Sequence, residues 1–436
     1  MERSRVSRLQ VAAPSFNQSA GMSHARTVVL FIGEGVTLAH VGRPIALANG
    51  LDPTRFEVNF ACDERHRLWL ADSPWPYKPL RSIGSDRFLR AVAKGGPLFD
   101  AKTLESYVAA DLELIAQVRP DVIVGDFRLS LSISARLAKV PYVAISNAYW
   151  SPYARLRFPV PEHWTTRRFG LWPATAVFGL ARPLFFAKFC APFNAVRRKF
   201  GMTSLGSDIR RMNTDADRVV YADIPDMIPT TDLPESHRYI GPVLWSPTVA
   251  LPAWWPAAPN ARDAIYVTLG SSGNERLMPM IVDAVAGLQR PVFLATAGHG
   301  VPPHLPANVH AADFLPGDVV VQRAQVVICN GGSPTSHQSL AAGVPVLGIA
   351  SNMDQLLNMQ AVVDYGAGLC LRADKVSRRS LRRMLTTLLS SEQYRAAALK
   401  ASEAFASYPT ADLLMNVLDD TFPEKRAPRR QVLQAQ

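Results

Sequence analysis

The heptapeptide Cys329-Asn330-Gly331-Gly332-Ser333-Pro334-Thr335 has the composition of an anion grip. An apolar run over residues 324–329 feeds it, and a helical pattern over residues 336–342 leaves it. Gly343-Val344-Pro345 then turns the chain into a second apolar run at 346–349. The order is strand, glycine loop, helix, turn, strand. Glycines expose backbone N–H groups without side-chain obstruction, and a helix N-terminus favours negative charge, so phosphate or pyrophosphate is the natural guest. The competing reading of such a loop is helix–sheet packing alone. Asn352-Met353-Asp354-Gln355 follows the second strand, in the region where an open α/β sheet binds ligand. Gly270, Ser271 and Ser272 follow another apolar run, 264–269. Glycine there permits close approach and the hydroxyls can bond phosphate oxygens; a simple turn is the alternative.

A second group of residues suits proton transfer. His40 follows the apolar run 28–33 and the loop 34–39, at the start of a helical pattern. A helix N-terminus disfavours imidazolium, which keeps the ring neutral and able to accept a proton near neutral pH. An incidental histidine is the alternative. Asp126 closes the strand-like segment 119–126. As a helix cap or loop acid it needs no function; beside an imidazole it would offset the cost of forming the cation.

These residues must be carried by strands and helices in alternation. Residues 28–33, 41–51 and 56–61 read as strand, helix, strand. Residues 119–126, 129–139 and 142–145 repeat that order, with Val140-Pro141 standing where Val344-Pro345 stands in the glycine-loop unit. Two similar βαβ units far apart predict two α/β domains in tandem. The predicted organisation is a disordered tail at 1–25 (with Met22 as an alternative start), a first domain at 26–240, a Pro- and Trp-rich linker at 241–262, a second domain at 263–407, a helix at 408–421 and a polar tail at 422–436. The segment 376–407 reads as helical. Pro173, Pro183 and Pro192 are expected to break any long helix in their region, and no apolar run of about 20 residues predicts a spanning helix.

With 436 residues and 48% hydrophobic composition, the chain can bury cores for two or three domains. A net charge of +11 favours anionic partners: a nucleotide diphosphate, an anionic membrane surface or nucleic acid, in that order. No helix-turn-helix, zinc spacing or RNA-binding aromatic motif is visible, which argues against nucleic acid. Four widely spaced cysteines without CxxC pairing argue against a disulfide framework and for a reducing, cytoplasmic compartment. The histidines show no metal spacing, and Asp215-Ala216-Asp217 reads as a polar loop rather than a metal handle. His337 reads as packing or surface.

Taken in order, these segments resemble the GT-B glycosyltransferases related to the UDP-glucuronosyltransferase and macrolide glycosyltransferase group, over residues 27–418. The resemblance implies two Rossmann-like domains facing across a cleft, with the last helix, residues 411–418, crossing back onto the first. It implies that the loop grips the diphosphate of a nucleotide sugar, with Ser333 and Thr335 on phosphate and Asp354 and Gln355 on the sugar. Ala39-His40-Val41-Gly42-Arg43 resembles the segment whose His is the family's catalytic base, and Asp126 matches the acid that orients it. Gly270, Ser271 and Ser272 match a donor-binding loop, and Phe314-Leu315-Pro316 the stretch that reads the nucleobase. Two residues depart from the pattern: Asn330 replaces the usual His before the two glycines, and Gly317 stands where Gln is often found. The implied activity is inverting, metal-independent transfer from a UDP- or dTDP-sugar to a hydroxyl of a small hydrophobic or lipid acceptor. Asn330 keeps open a non-catalytic sugar-nucleotide-binding protein; a nucleotide-sugar epimerase is the third reading. Region 148–200 mixes aromatics with arginines and reads either as helical core with solvated arginines or as an acceptor pocket and membrane-interface surface.

Overall fold

A computed structural model describes residues 26–162, 164–255 and 262–421; the predicted tails lie outside them. Among the described residues, thirteen strands form two sheets. The first holds β1 (Thr27–Gly33), β2 (Phe56–Cys62), β3 (Tyr77–Pro79), β4 (Val122–Asp126), β5 (Tyr142–Ser146), β6 (Arg218–Tyr221) and β7 (His237–Tyr239), in the order 3-2-1-4-5-6-7. The second holds β8 (Ala264–Thr268), β9 (Val292–Ala295), β10 (Val309–Ala312), β11 (Ala324–Cys329), β12 (Val346–Ala350) and β13 (Gly368–Arg372), in the order 10-9-8-11-12-13. Every pairing between them is parallel.

The central strands β1, β4, β8 and β11 are rich in Val and Ile and buried on both faces, as helices covering a parallel sheet require. The internal echo is physical. Ile123 N–H donates to the Pro141 carbonyl at 2.9 Å, and Val327 N–H donates to the Pro345 carbonyl at 3.1 Å, so each Val-Pro turn is tied to its neighbouring strand in the same way. In each sheet the chain reverses direction of winding beside its first strand, between β1 and β4 and between β8 and β11. These are the crevices where an open α/β sheet accepts a ligand.

The last helix, Thr410–Thr421, does cross back: Leu414, Val417 and Leu418 join the apolar core formed by Val29, Phe31 and Val58 of the first sheet. Arg55–Asp419 (2.5 Å) and Arg238–Asp420 (2.7 Å) pair along its edge. The 376–407 segment is two helices, Arg378–Ser390 and Glu392–Ala406, joined by extended Ser391.

One expectation is overturned. Leu171–Lys199 is a single helix of 29 residues that runs through Pro183 and Pro192. Pro173 sits in its first turn, where an N–H has no carbonyl to meet. The other two each delete one backbone bond and stand nine positions apart, and the helix end that holds Cys190, Phe193 and Val196 is anchored in a core cluster. That packing outweighs the local penalty. By length and composition alone this helix is also apolar enough to cross a membrane.

Candidate functional site

Both crevices open into one cavity of about 1850 Å³ between the domains. It is lined by His40 and Asp126 from the first and by Gly270, Ser271, Ser272, Phe314, Leu315, Asn330, Gly332, Ser333, Thr335, Asp354 and Gln355 from the second. Cys329 and Gly331 of the glycine loop, and Pro316, stay behind the lining.

His40 is the second residue of the helix Ala39–Asn49, which begins close to the end of β1. A Cβ on Gly33 would stand 2.7 Å from the His40 carbonyl, so glycine at that strand end lets the helix start there. Register pairs Gly33 with Asp126, which brings the acid beside the helix start. His40 Nδ1 lies 2.8 Å from Asp126 Oδ1. With the Nδ1 proton directed at the carboxylate, Nε2 carries the lone pair. Phe127, forced to φ 60°, lays its ring against the imidazole at 4.4 Å and 10°. A bulky residue in that backbone region is strained, and the ring it presents lies flat against the imidazole.

Arg43, which the sequence reading quoted without a role, completes the cluster. Its guanidinium grips Asp126 through Nε (2.7 Å) and Nη2 (2.8 Å), with both groups buried. Nη1 donates to Asn147 Oδ1 at 2.6 Å, and Ser333 Oγ reaches the same oxygen at 3.4 Å. The imidazole, the carboxylate, the guanidinium, an amide and the glycine-loop serine thus form one chain of contacts across the cleft. The spacing of His40 and Arg43, three apart on one helix face, was the available signal. Behind it, Asn147 Nδ2 and the Ala148 N–H bond Asp223, which lies 3.5 Å from His337. Burial pushes Asp223 up to about 6 and His337 down to about 3. His337 is therefore an interior group of the domain interface.

The glycine loop is shaped by its neighbours. Gly331 adopts φ 81°, and a Cβ there would meet Met359 at 2.7 Å, so glycine is required. Asn358 holds the loop from behind through the Gly331 carbonyl and Ser336 Oγ, both at 2.8 Å. The amides first expected to serve an anion are partly taken: Gly331 N–H points to Cys329 Sγ (3.3 Å) and Gly332 N–H to Asn330 Oδ1 (3.0 Å). The N–H groups of Ser333 and Thr335 stand where a helix offers no carbonyl, so they are the open donors of this loop. Asn330 also donates through Nδ2 to Ser272 Oγ at 3.1 Å. Its carboxamide thus donates to the other candidate donor loop while accepting from its own, a pairing that an imidazolium, with donors only, could not make.

Asp354 and Gln355 are differently equipped. Asp354 accepts from Trp150 Nε1 at 2.8 Å, a bond between domains. Gln355 is buried; its Oε1 accepts from the Ser351 N–H and hydroxyl, and its Nε2 has no protein partner. A buried, unpaired donor on the cavity wall suits a hydroxyl-bearing guest. Phe314 packs edge-on against Trp69 of the first domain at 5.0 Å. At Gly317 the absent side chain leaves room for Gln338, whose carboxamide occupies that space. Asp215 is held by Arg136 (2.9 Å) and Arg197 (2.5 Å), and Asp217 accepts from the Tyr142 N–H. Those contacts give the DxD triplet a structural task.

Residues 280–419 match the family described as Erythromycin biosynthesis protein CIII-like, C-terminal domain. Over 380 residues the chain is 49% identical to a PGL/p-HBAD biosynthesis glycosyltransferase of Mycobacterium tuberculosis H37Ra, covering 87% of this chain and 89% of the relative. A PGL/p-HBAD biosynthesis rhamnosyltransferase of Mycobacterium bovis BCG is 46% identical over 385 residues, 88% of this chain and 86% of the relative. The solved structure of Spinosyn Rhamnosyltransferase SpnG complexed with thymidine diphosphate shares the fold, with a TM-score of 0.65 over 90% of this chain and 100% of that one at 18% identity.

Proposed function

The chain belongs to the macrolide-type GT-B glycosyltransferases, enzymes that move a sugar from a nucleotide sugar, and on that premise we propose that it inverts the sugar of a dTDP- or UDP-sugar onto a hydroxyl of a hydrophobic or lipid acceptor, without a metal ion. His40 Nε2 takes the proton of the acceptor hydroxyl while Asp126 fixes the ring and offsets the forming charge. The freed oxygen attacks the anomeric carbon from the face opposite the diphosphate. The open amides of Ser333 and Thr335, with the helix dipole, receive the departing diphosphate, so fixed dipoles supply the positive potential that a metal would otherwise provide. Gln355 Nε2 and Asp354 hold sugar hydroxyls, and Phe314 and Leu315 flank the base. Rhamnose, named for one relative, is the first sugar to test, and dTDP, bound in the SpnG structure, the first nucleotide.

The observation that supports this reading is the chain of contacts His40–Asp126–Arg43–Asn147–Ser333, which links the imidazole to the glycine loop across the cleft. A hydrophobic acceptor is supported by the aromatic wall of the cavity beside His40, including Phe88, Phe127, Phe186 and Phe189. A reducing, cytoplasmic setting is supported by four unpaired cysteines, three of them buried.

The test is incubation with dTDP- and UDP-sugars, with and without an aromatic alcohol, in the presence of chelator. Acceptor-dependent nucleotide release and a product of inverted anomeric configuration are expected. Retained configuration rejects the single in-line displacement. Sugar interconversion supports an epimerase, and binding without release an accessory protein.

A further inference from the structure

The helix Leu171–Lys199 presents a surface unlike the rest of the molecule. Trp172, Leu180 and Leu184 are 90%, 86% and 76% exposed. With Ala176 and Ala187 they recur every three or four residues, so they share one helix face. A folded monomer seldom leaves such a patch open without a partner. The helix contains no Asp or Glu and five Lys or Arg residues. Lys188 and Arg198 are exposed on it, and Arg168 is exposed just before it.

The helix cannot insert across a membrane as the protein is folded. Cys190, Phe193 and Val196 near its far end belong to a core cluster of the first domain, and Arg197 is bonded to Asp215. Its other side is the cavity wall: Phe178, Phe185, Phe186 and Phe189 line the space that contains His40. One helix therefore has an outward apolar face and an inward apolar face, joined by exposed Val177 and Phe185, with no acid between them.

We propose that this helix lies in the interface of an anionic lipid bilayer, its apolar stripe among the acyl chains and Arg168, Lys188 and Arg198 at the headgroups, so that an alkyl-chain acceptor passes from the bilayer along the helix into the cavity. Charge selects this occupant over an acidic protein surface or an apolar cleft alone: the stripe supplies hydrophobic burial and the unopposed cations supply attraction to anionic headgroups, the two terms that hold an amphipathic helix at an interface. The proposal rests on the hydrophobic-acceptor reading above and adds where that acceptor is met.

The test uses the full chain and a triple variant, Trp172→Glu, Leu180→Glu and Leu184→Glu, none of which lines the cavity. In flotation with vesicles of phosphatidylcholine containing about one-third phosphatidylglycerol, the native chain should float, less so with phosphatidylcholine alone or at raised salt. The triple variant should bind at least about tenfold more weakly. Transfer to a short water-soluble acceptor should be equal in both proteins, while transfer to a long-alkyl alcohol embedded in vesicles should fall only in the variant. A native chain that stays with the soluble fraction, or a variant that floats equally well, overturns the proposal. So does a native dimer that the substitutions dissociate, since a second copy would then cover the face. Failure of the native chain on the soluble acceptor would instead strike at the transferase chemistry, which separates the two.

Discussion

The two carboxyl-edge sites of this molecule are built from opposite materials. On the first domain, His40, Asp126 and Arg43 form a dense cluster of ionisable side chains, with Asp126 fully buried. On the second, the loop from Cys329 to Thr335 has no charged side chain, and its capacity for an anion lies in open amides and a helix end. A site that must take up a proton needs a group that titrates, held in one orientation by partners. A site that receives charge already formed is better served by dipoles that do not titrate and need not reorganise. Asn330 fits the second rule: an uncharged residue ties the loops together where the resemblance leads one to expect an imidazole.

That contrast predicts that damage to each site reads out differently. The largest effect belongs to His40→Ala, which should lower turnover by about 10³-fold while leaving the dTDP-induced rise in melting temperature intact. Equal losses in both readouts would mean that the two sites are not separable. Arg43→Lys comes next. A lysine cannot reproduce the forked grip on Asp126 or the reach to Asn147, so kcat should fall by about ten- to a hundredfold with the KM for donor nearly unchanged. Gly331→Ala acts on the other side: the crowding against Met359 and the positive φ should cost about 1–3 kcal/mol of stability and abolish the nucleotide-induced shift. Asn330→Ala should raise the donor KM by about tenfold through the loss of two ties of ordinary strength, with little change in kcat.

A further effect, on stability rather than activity, concerns the buried pair between the domains. Burial pushes His337 down from 6.5 to about 3, so its contribution to stability is present above pH 6.5 and lost as pH falls and the unfolded chain takes up the proton. Asp223, pushed up from 3.8 to about 6, acts in the other direction, and its contribution returns as pH falls from 6 towards 3.8. The two largely offset in the native chain. Removing one exposes the other: between pH 7 and 5, His337→Asn should gain about 2 kcal/mol relative to the native chain in urea unfolding. Parallel pH profiles would show that this interface does not titrate as its burial implies.

Much of the fold was legible because parallel strands announce themselves as short apolar runs closed by glycine or an acid. Each strand of the two central βαβ units was readable to within three residues, the largest error being the start of Val122–Asp126, read from residue 119. The site was legible where a single residue type is demanded by backbone geometry, as at Gly331, or by chemistry at a strand end, as at Asp126. It was not legible where a side chain acts through distant partners. Nothing near Arg43 in the sequence reveals Asn147, and Trp150 meets Asp354 only because the domains close on one another. The unbroken helix through Pro183 and Pro192 was misread for the same reason: local propensity was legible, and the tertiary packing that overrides it was not.

The central claim is that a nucleotide diphosphate sits on the Asn330–Thr335 loop opposite the His40 imidazole. A crystal structure of the full chain with dTDP or UDP tests it directly. Diphosphate oxygens within hydrogen-bond distance of the Ser333 and Thr335 amides, with the leaving oxygen facing His40 across the cleft, are the predicted result. A nucleotide bound elsewhere, with that loop still empty, would contradict it.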